Sequence, residues 1–216
     1  MVNIFAGPFF QRFHSPGQAE RAQASDLAEL LEFLDKESQK KYLGYDFGKN
    51  GQNEWSRRQS QWQIHPEDFL IVRKHGRIKA CALPWAPPET AKSMFYTRAP
   101  KLVEIGLGAL RKLGAHVPKA NENIKTLYLT HLHIGEDISA PEALMQLIAA
   151  SQEKRSSVKA QMISFADNWR CLDQLRFQSR FLGLRIGVVL VHVGKNNSLV
   201  SRPSARQPIE LEMAIL

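Results

Sequence analysis

Two histidines one residue apart, His131 and His133, stand in the stretch TLYLTHLHIGEDISAPEALMQLI over 126–148. A neutral imidazole near pH 7 can take a proton from an attacking amine, so paired histidines are candidates for a general base. If the stretch is a strand, alternate residues share a face and the two rings are neighbours. Glu104, from a helical segment upstream, is a third candidate base. With Glu136 and Asp137 nearby the pair could also be read as metal ligands, yet nothing in the sequence nominates a further ligand, and packing histidines are the simpler expectation. No resident metal is expected.

The same stretch reads as a strand turning into a helix, a place where unpartnered helical N–H groups often hold a phosphate. Here the turn carries Glu136, Asp137 and Glu142, which would repel a diphosphate. As a helix start the chemistry is favourable: Ser139 as cap, Pro141 at the opening and Glu142 near the positive end of the dipole. Gly106-Leu107-Gly108 is no dinucleotide loop, because no strand precedes it and a third glycine is missing at the required spacing. No serine-nucleophile elbow, zinc-protease helix or phosphate loop of the Walker type is present.

The elements that must position these residues follow from periodicity. A helix is expected from Ser25 or Asp26 to about Tyr42, with Leu27, Leu30, Leu31, Phe33 and Leu34 at helical spacing. Trp55 and Trp62, seven apart, would share one face of a short helix and pack in the core. A hairpin is expected with strands over 69–73 and 77–85 and a turn at Lys74-His75-Gly76. Further expected elements are a helix over 102–113, a strand over 125–134, a helix from Pro141 to about Glu153 and a strand over 160–165. A helix over 169–181, a strand over 186–193 and a closing strand in IELEMAIL complete the chain. The N-terminal 1–24 is expected to be an arm or edge strand, and 86–123 an inserted flap with one helix.

The chain has 216 residues, 44% of them hydrophobic, enough for one core. A single domain over 1–216 is expected. No apolar run approaches the roughly 18 to 20 residues that span a bilayer, and no export signal is read at the N-terminus. Cys81 and Cys171 share no metal or redox spacing, so buried thiols in a reducing compartment, the cytoplasm, are expected. Twenty-nine basic against 21 acidic residues leave a net charge of +8, which invites anionic partners. That charge is dispersed, with no aromatic-rich nucleic-acid strand, so a solvated surface is the expectation and nucleic acid and membrane are not.

The element order, together with FLIVRKHGRIKACALPW and the run from IKTLYLTHLHI through PEALMQLIAAS to IGVVLVHV, resembles the GNAT superfamily of N-acetyltransferases. The resemblance implies an α/β (α+β) acyl-CoA N-acyltransferase fold, a mixed and mostly antiparallel sheet flanked by helices. It also implies acetyl-CoA or another acyl-CoA as donor and a small-molecule or protein amine as acceptor. Carried over residue by residue, it places the acyl-CoA beside Leu132, His133, Ile134, Gly135, Ser139, Ala140 and Asn168, with an oxyanion held by a backbone N–H near Leu132 to Ile134. Phe95, Tyr96 and Arg98 would line the acceptor side. The chain departs from that family in two places. GEDISAPEA lacks the basic residue and paired glycines of the diphosphate loop, and Leu175 falls where a tyrosine acid is usual. These departures leave open a second reading, a non-catalytic binding or regulatory domain of the same fold, as found in halves of tandem proteins. A homodimer paired through the closing strand is a further expectation.

Overall fold

The computed structural model describes residues 2–5, 19–40, 51–87, 97–98, 101–112, 117, 119–165 and 183–185. Its strands are β1 (Val2–Phe5), β2 (Glu20–Arg21), β3 (Leu70–Lys74), β4 (Arg77–Trp85), β5 (Thr126–Ile134), β6 (Met162–Phe165) and β7 (Gly183–Arg185). The helices are α1 (Leu27–Ser38), α2 (Gly51–Trp62), α3 (Lys101–Lys112), α4 (Ala140–Ala150) and α5 (Gln152–Ser157). Among the described residues the strands form one seven-stranded sheet in the order β2-β3-β4-β5-β6-β1-β7. Among the described residues only β5 and β6 run parallel; every other pair is antiparallel. The fold is therefore α+β, a mixed and mostly antiparallel sheet flanked by helices.

Val2–Phe5 corrects one expectation. The segment read as an arm or edge strand lies inside the sheet, antiparallel to β6 on one side and to β7 on the other. Ile4 and Phe5 suit a strand; what the sequence could not show is that residues 162–165 leave a free edge for it. The helix over 169–181, the strand over 186–193 and the closing strand lie outside the described residues.

One face of the sheet carries Leu70, Val72, Ala80, Ala82, Leu127 and Leu129, packed on Leu144, Leu147 and Ile148 of α4. The other carries Ile71, Ile78, Cys81 and Leu83, packed on Leu30, Phe33 and Leu34 of α1 and Trp55 of α2. Burying each of these large side chains fully contributes about 1.5 to 3 kcal/mol, so the two layers hold the sheet from both sides. Trp62 meets Trp85 edge to face at 5.9 Å, and Trp55 lies 6.1 Å from Phe69, which seats α2 across β3 and β4. The β3–β4 turn uses His75 and Gly76 at φ 53° and 73°. Two positive φ values match the twist of a two-residue hairpin, and Gly76 supplies one without strain.

Strict alternation fails at two bulges. In β4 the register runs from Val72 opposite Ala80 to Arg73 opposite Ile78, so Lys79 is an extra residue. In β5 it runs from Leu83 opposite Thr130 to Cys81 opposite His133, which inserts an extra residue at His131-Leu132. Each bulge reverses which parity faces which layer. In β5 the residues facing α4 are thus Leu127 and Leu129 before the bulge and Leu132 and Ile134 after it.

Candidate functional site

His131 takes the left-handed backbone conformation at φ 47°, uncommon for a residue with a side chain. It is only 4% exposed and faces α2, its ring 5.6 Å from Phe69. The Arg58 guanidinium bonds its Nε2, and its Nδ1 lies 3.1 Å from Thr130 Oγ1. A guanidinium only donates, so Nε2 accepts and the proton sits on Nδ1. Thr130 then accepts from Nδ1–H and passes its own hydroxyl hydrogen to Leu83 O at 3.2 Å. This chain of bonds crosses from α2 through the bulge to β4.

His133 is fully buried and pairs across the ladder with Cys81, itself fully buried. Residues directly opposite in an antiparallel pair share a face, so His133 points to the α1 and α2 side, as His131 does. Both histidines thus lie on the same side of the sheet, inside the core. Cys81 Sγ also reaches His131 O at 3.4 Å. Among the described residues no group of three His, Cys, Asp or Glu is gathered that could hold a metal ion.

Glu104 lies exposed in the first turn of α3, and no bond joins it to either histidine among the described residues. Arg98 is exposed. Phe95, Tyr96 and Asn168 lie outside the described residues. Burial raises the Tyr128 phenol above its ordinary range.

The described β5–β6 pairing runs from Thr126 opposite Met162 to Leu129 opposite Phe165. Gly135 N–H donates to Lys79 O at 2.8 Å. N–H groups of a strand alternate in direction, so the Ile134 N–H points away from β4, toward the β6 side. Leu132 and Ile134 are buried against α4 by their side chains.

The acidic turn after β5 is answered by lysines. Lys79 Nζ meets Asp137 Oδ2 at 2.7 Å and Lys74 Nζ donates to Asp137 O at 2.7 Å. The Lys79 ammonium thereby holds the Asp137 carboxyl below the ordinary range. Lys40 bridges Glu136 at 3.2 Å and the buried Glu37 at 2.9 Å. Burial alone would lower Lys40, yet these two carboxylates hold it above its ordinary range.

Ser139 corrects a second expectation. It stands at the N-cap of α4 but its hydroxyl makes no capping bond; only its carbonyl accepts, from Ala143 N–H at 2.9 Å. Pro141 and Glu142 occupy the first turn as expected. The helix start is therefore less closed on itself than the residue types suggest.

The residues that sequence reading missed are Arg58, Lys40, Lys74 and Lys79. Arg58 had a signal: with Trp55 and Trp62 it lies at helical spacing on the buried stripe of α2. The lysines had none, because their meeting depends on the β4 bulge and on where α1 ends.

No protein-family model and no curated protein matches the chain. A solved structure described as "Crystal structure of a probable acetyltransferase" is similar at 12% identity and TM-score 0.41, covering 84% of this chain and 97% of that one. A likeness at that level is a similarity and nothing more.

Proposed function

We propose that the chain is an acyl-CoA-dependent N-acyltransferase acting on an amine acceptor, in a reducing compartment such as the cytoplasm. The observation that carries this reading is β5. A bulge at His131-Leu132 re-aims the strand, and beyond it the Ile134 N–H is directed away from β4, on the side where β6 pairs with residues 126–129. A peptide N–H at such a position suits the carbonyl of a thioester, where it can stabilise developing oxyanion charge.

The residues present fit the acyl arm better than the diphosphate. Gly135 N–H is spent on Lys79 O, and Asp137 sits on Lys79. An incoming diphosphate would have to displace Asp137, after which Lys79 and Lys74 could face the phosphates. Lys36 also acts on Asp137 through space, so the surroundings are basic once the acids turn outward.

A second reading, a non-catalytic binding module of this fold, is favoured by the histidines. Both are buried, and the Nε2 of His131 is engaged by Arg58. The test is calorimetric titration with acetyl-CoA and with CoA, on the natural sequence and on Glu136→Gln/Asp137→Asn. Saturable binding, tighter in the double variant, is the outcome for the first reading. No binding by either would sink it and leave the module.

A further inference from the structure

We propose that Arg58 is a positioning residue: acting through His131 and Thr130, it locks the bulge of β5 and so sets the direction of the strand beyond it. The observation is the continuous chain from a guanidinium that is 2% exposed, to His131 Nε2, from Nδ1 to Thr130 Oγ1, and on to Leu83 O. It ties one helix, both sides of the bulge and the neighbouring strand with bonds of fixed polarity.

A left-handed non-glycine residue persists only where its surroundings over-determine it. His131 meets that condition because both ring nitrogens are bonded in one sense only. Phe69 closes the ring from the side at 5.6 Å, and Trp55 in turn packs on Phe69. The ring therefore cannot turn without breaking the Arg58 bond, the Thr130 bond and an aromatic contact together. Its tautomer is a consequence of Arg58, and its backbone conformation a consequence of its ring being held.

The same lock assigns different work to the two histidines. His131 is a strut, with its basic nitrogen turned into the core toward α2. The parity change it enforces places Leu132 and Ile134 against α4 and His133 opposite Cys81. This inference rests on the acyltransferase reading only where the slot beside β5 is concerned; the lock itself stands apart from any ligand.

Nitrogen-15 NMR of histidine-labelled protein tests it, with the His131 signals assigned by their loss in His131→Asn. The natural protein should show Nδ1 protonated and Nε2 as a bare acceptor. Thr130→Val and Arg58→Met should each disturb that pattern, and amide exchange at Leu132 and His133 should quicken about tenfold or more. Arg58→Lys, which keeps a donor, should restore the tautomer in part. A protonated Nε2 in the natural protein overturns the proposal, and so does unchanged exchange in both Thr130→Val and Arg58→Met.

Acetyl-CoA titration of the same proteins separates the two claims. Binding by the natural protein that weakens about tenfold or more in Arg58→Met supports both. Unchanged affinity in that variant overturns the positioning role. An absence of binding throughout, with the NMR and exchange results as expected, removes the acyltransferase reading and leaves the lock standing.

Discussion

At the scale of single residues, Glu29 shows how a bulge is made tolerable. The extra residue Lys79 takes Ile78 N–H out of the regular ladder, and Glu29 Oε1 accepts it at 2.9 Å while Oε2 holds Arg73 at 2.8 Å. Burial alone would raise the Glu29 carboxyl, but the Ile78 bond and the Arg73 guanidinium bring it below the ordinary range. A carboxyl depressed in the folded state stabilises at pH above its unfolded value, and that contribution is lost as pH falls through the folded value. Glu29→Ala should therefore cost about 1 to 2 kcal/mol near neutral pH, with the gap to the natural protein closing below about pH 4. Urea midpoints across that range measure it; a constant gap would show that the carboxylate charge contributes nothing. Asp137→Asn, at an exposed pair, should move the midpoint much less.

The histidines were legible as a pair, and the reason they matter was not. Alternation read from the sequence puts His131 and His133 side by side on one strand face. The apolar pattern itself changes from odd to even between Leu129 and Leu132, a trace of the bulge that could have been followed. What no local pattern reveals is that Arg58, 73 positions away, supplies the bond to Nε2.

Among the elements, α4 was read well because its apolar stripe is self-evident: Leu144, Leu147 and Ile148 are all buried against the sheet. Leu147→Ala should cost about 2 to 5 kcal/mol, since the removed carbons leave a cavity between α4 and the strands. A urea titration that moved by less than 1 kcal/mol would mean the layer repacks freely. The helix was expected to run on to about Glu153; in fact it ends at Ala150 and α5 follows. Ser151 marks the joint: its hydroxyl donates to Ile148 O at 2.7 Å. At the turn before α4, Gly135 leaves little room. A Cβ there would lie 3.2 Å from Lys79 O and 3.6 Å from the Phe33 ring. Gly135→Ala should therefore destabilise by about 1 kcal/mol or more, read as a lower melting temperature. An unchanged melting temperature would indicate that the turn is loose.

For the molecule as a whole, the sheet class and the hairpin were plain in the sequence, while the place of the first strand was not. Pairing between residues 2–5 and residues 162–165 is a long-range event that no periodicity encodes. Removing residues 1–5 should leave β6 and β7 without the strand between them and lower stability by several kcal/mol, because the ladder bonds on both of its sides are lost. Denaturation of the shortened chain tests this, and an unaltered midpoint would mean that β1 is dispensable to the sheet. No helix among the described residues is long and apolar enough to cross a membrane.

The seat of Val2–Phe5 between β6 and β7 also has a consequence for synthesis. Val2–Phe5 pairs with a strand that begins at Met162, 162 − 5 = 157 residues later. At about 5 to 20 residues per second the nascent chain carries an unpaired apolar strand for on the order of ten seconds or more. During that interval the strand lacks its partner, and the β1–β6 ladder can form only once residues 162–165 have been made.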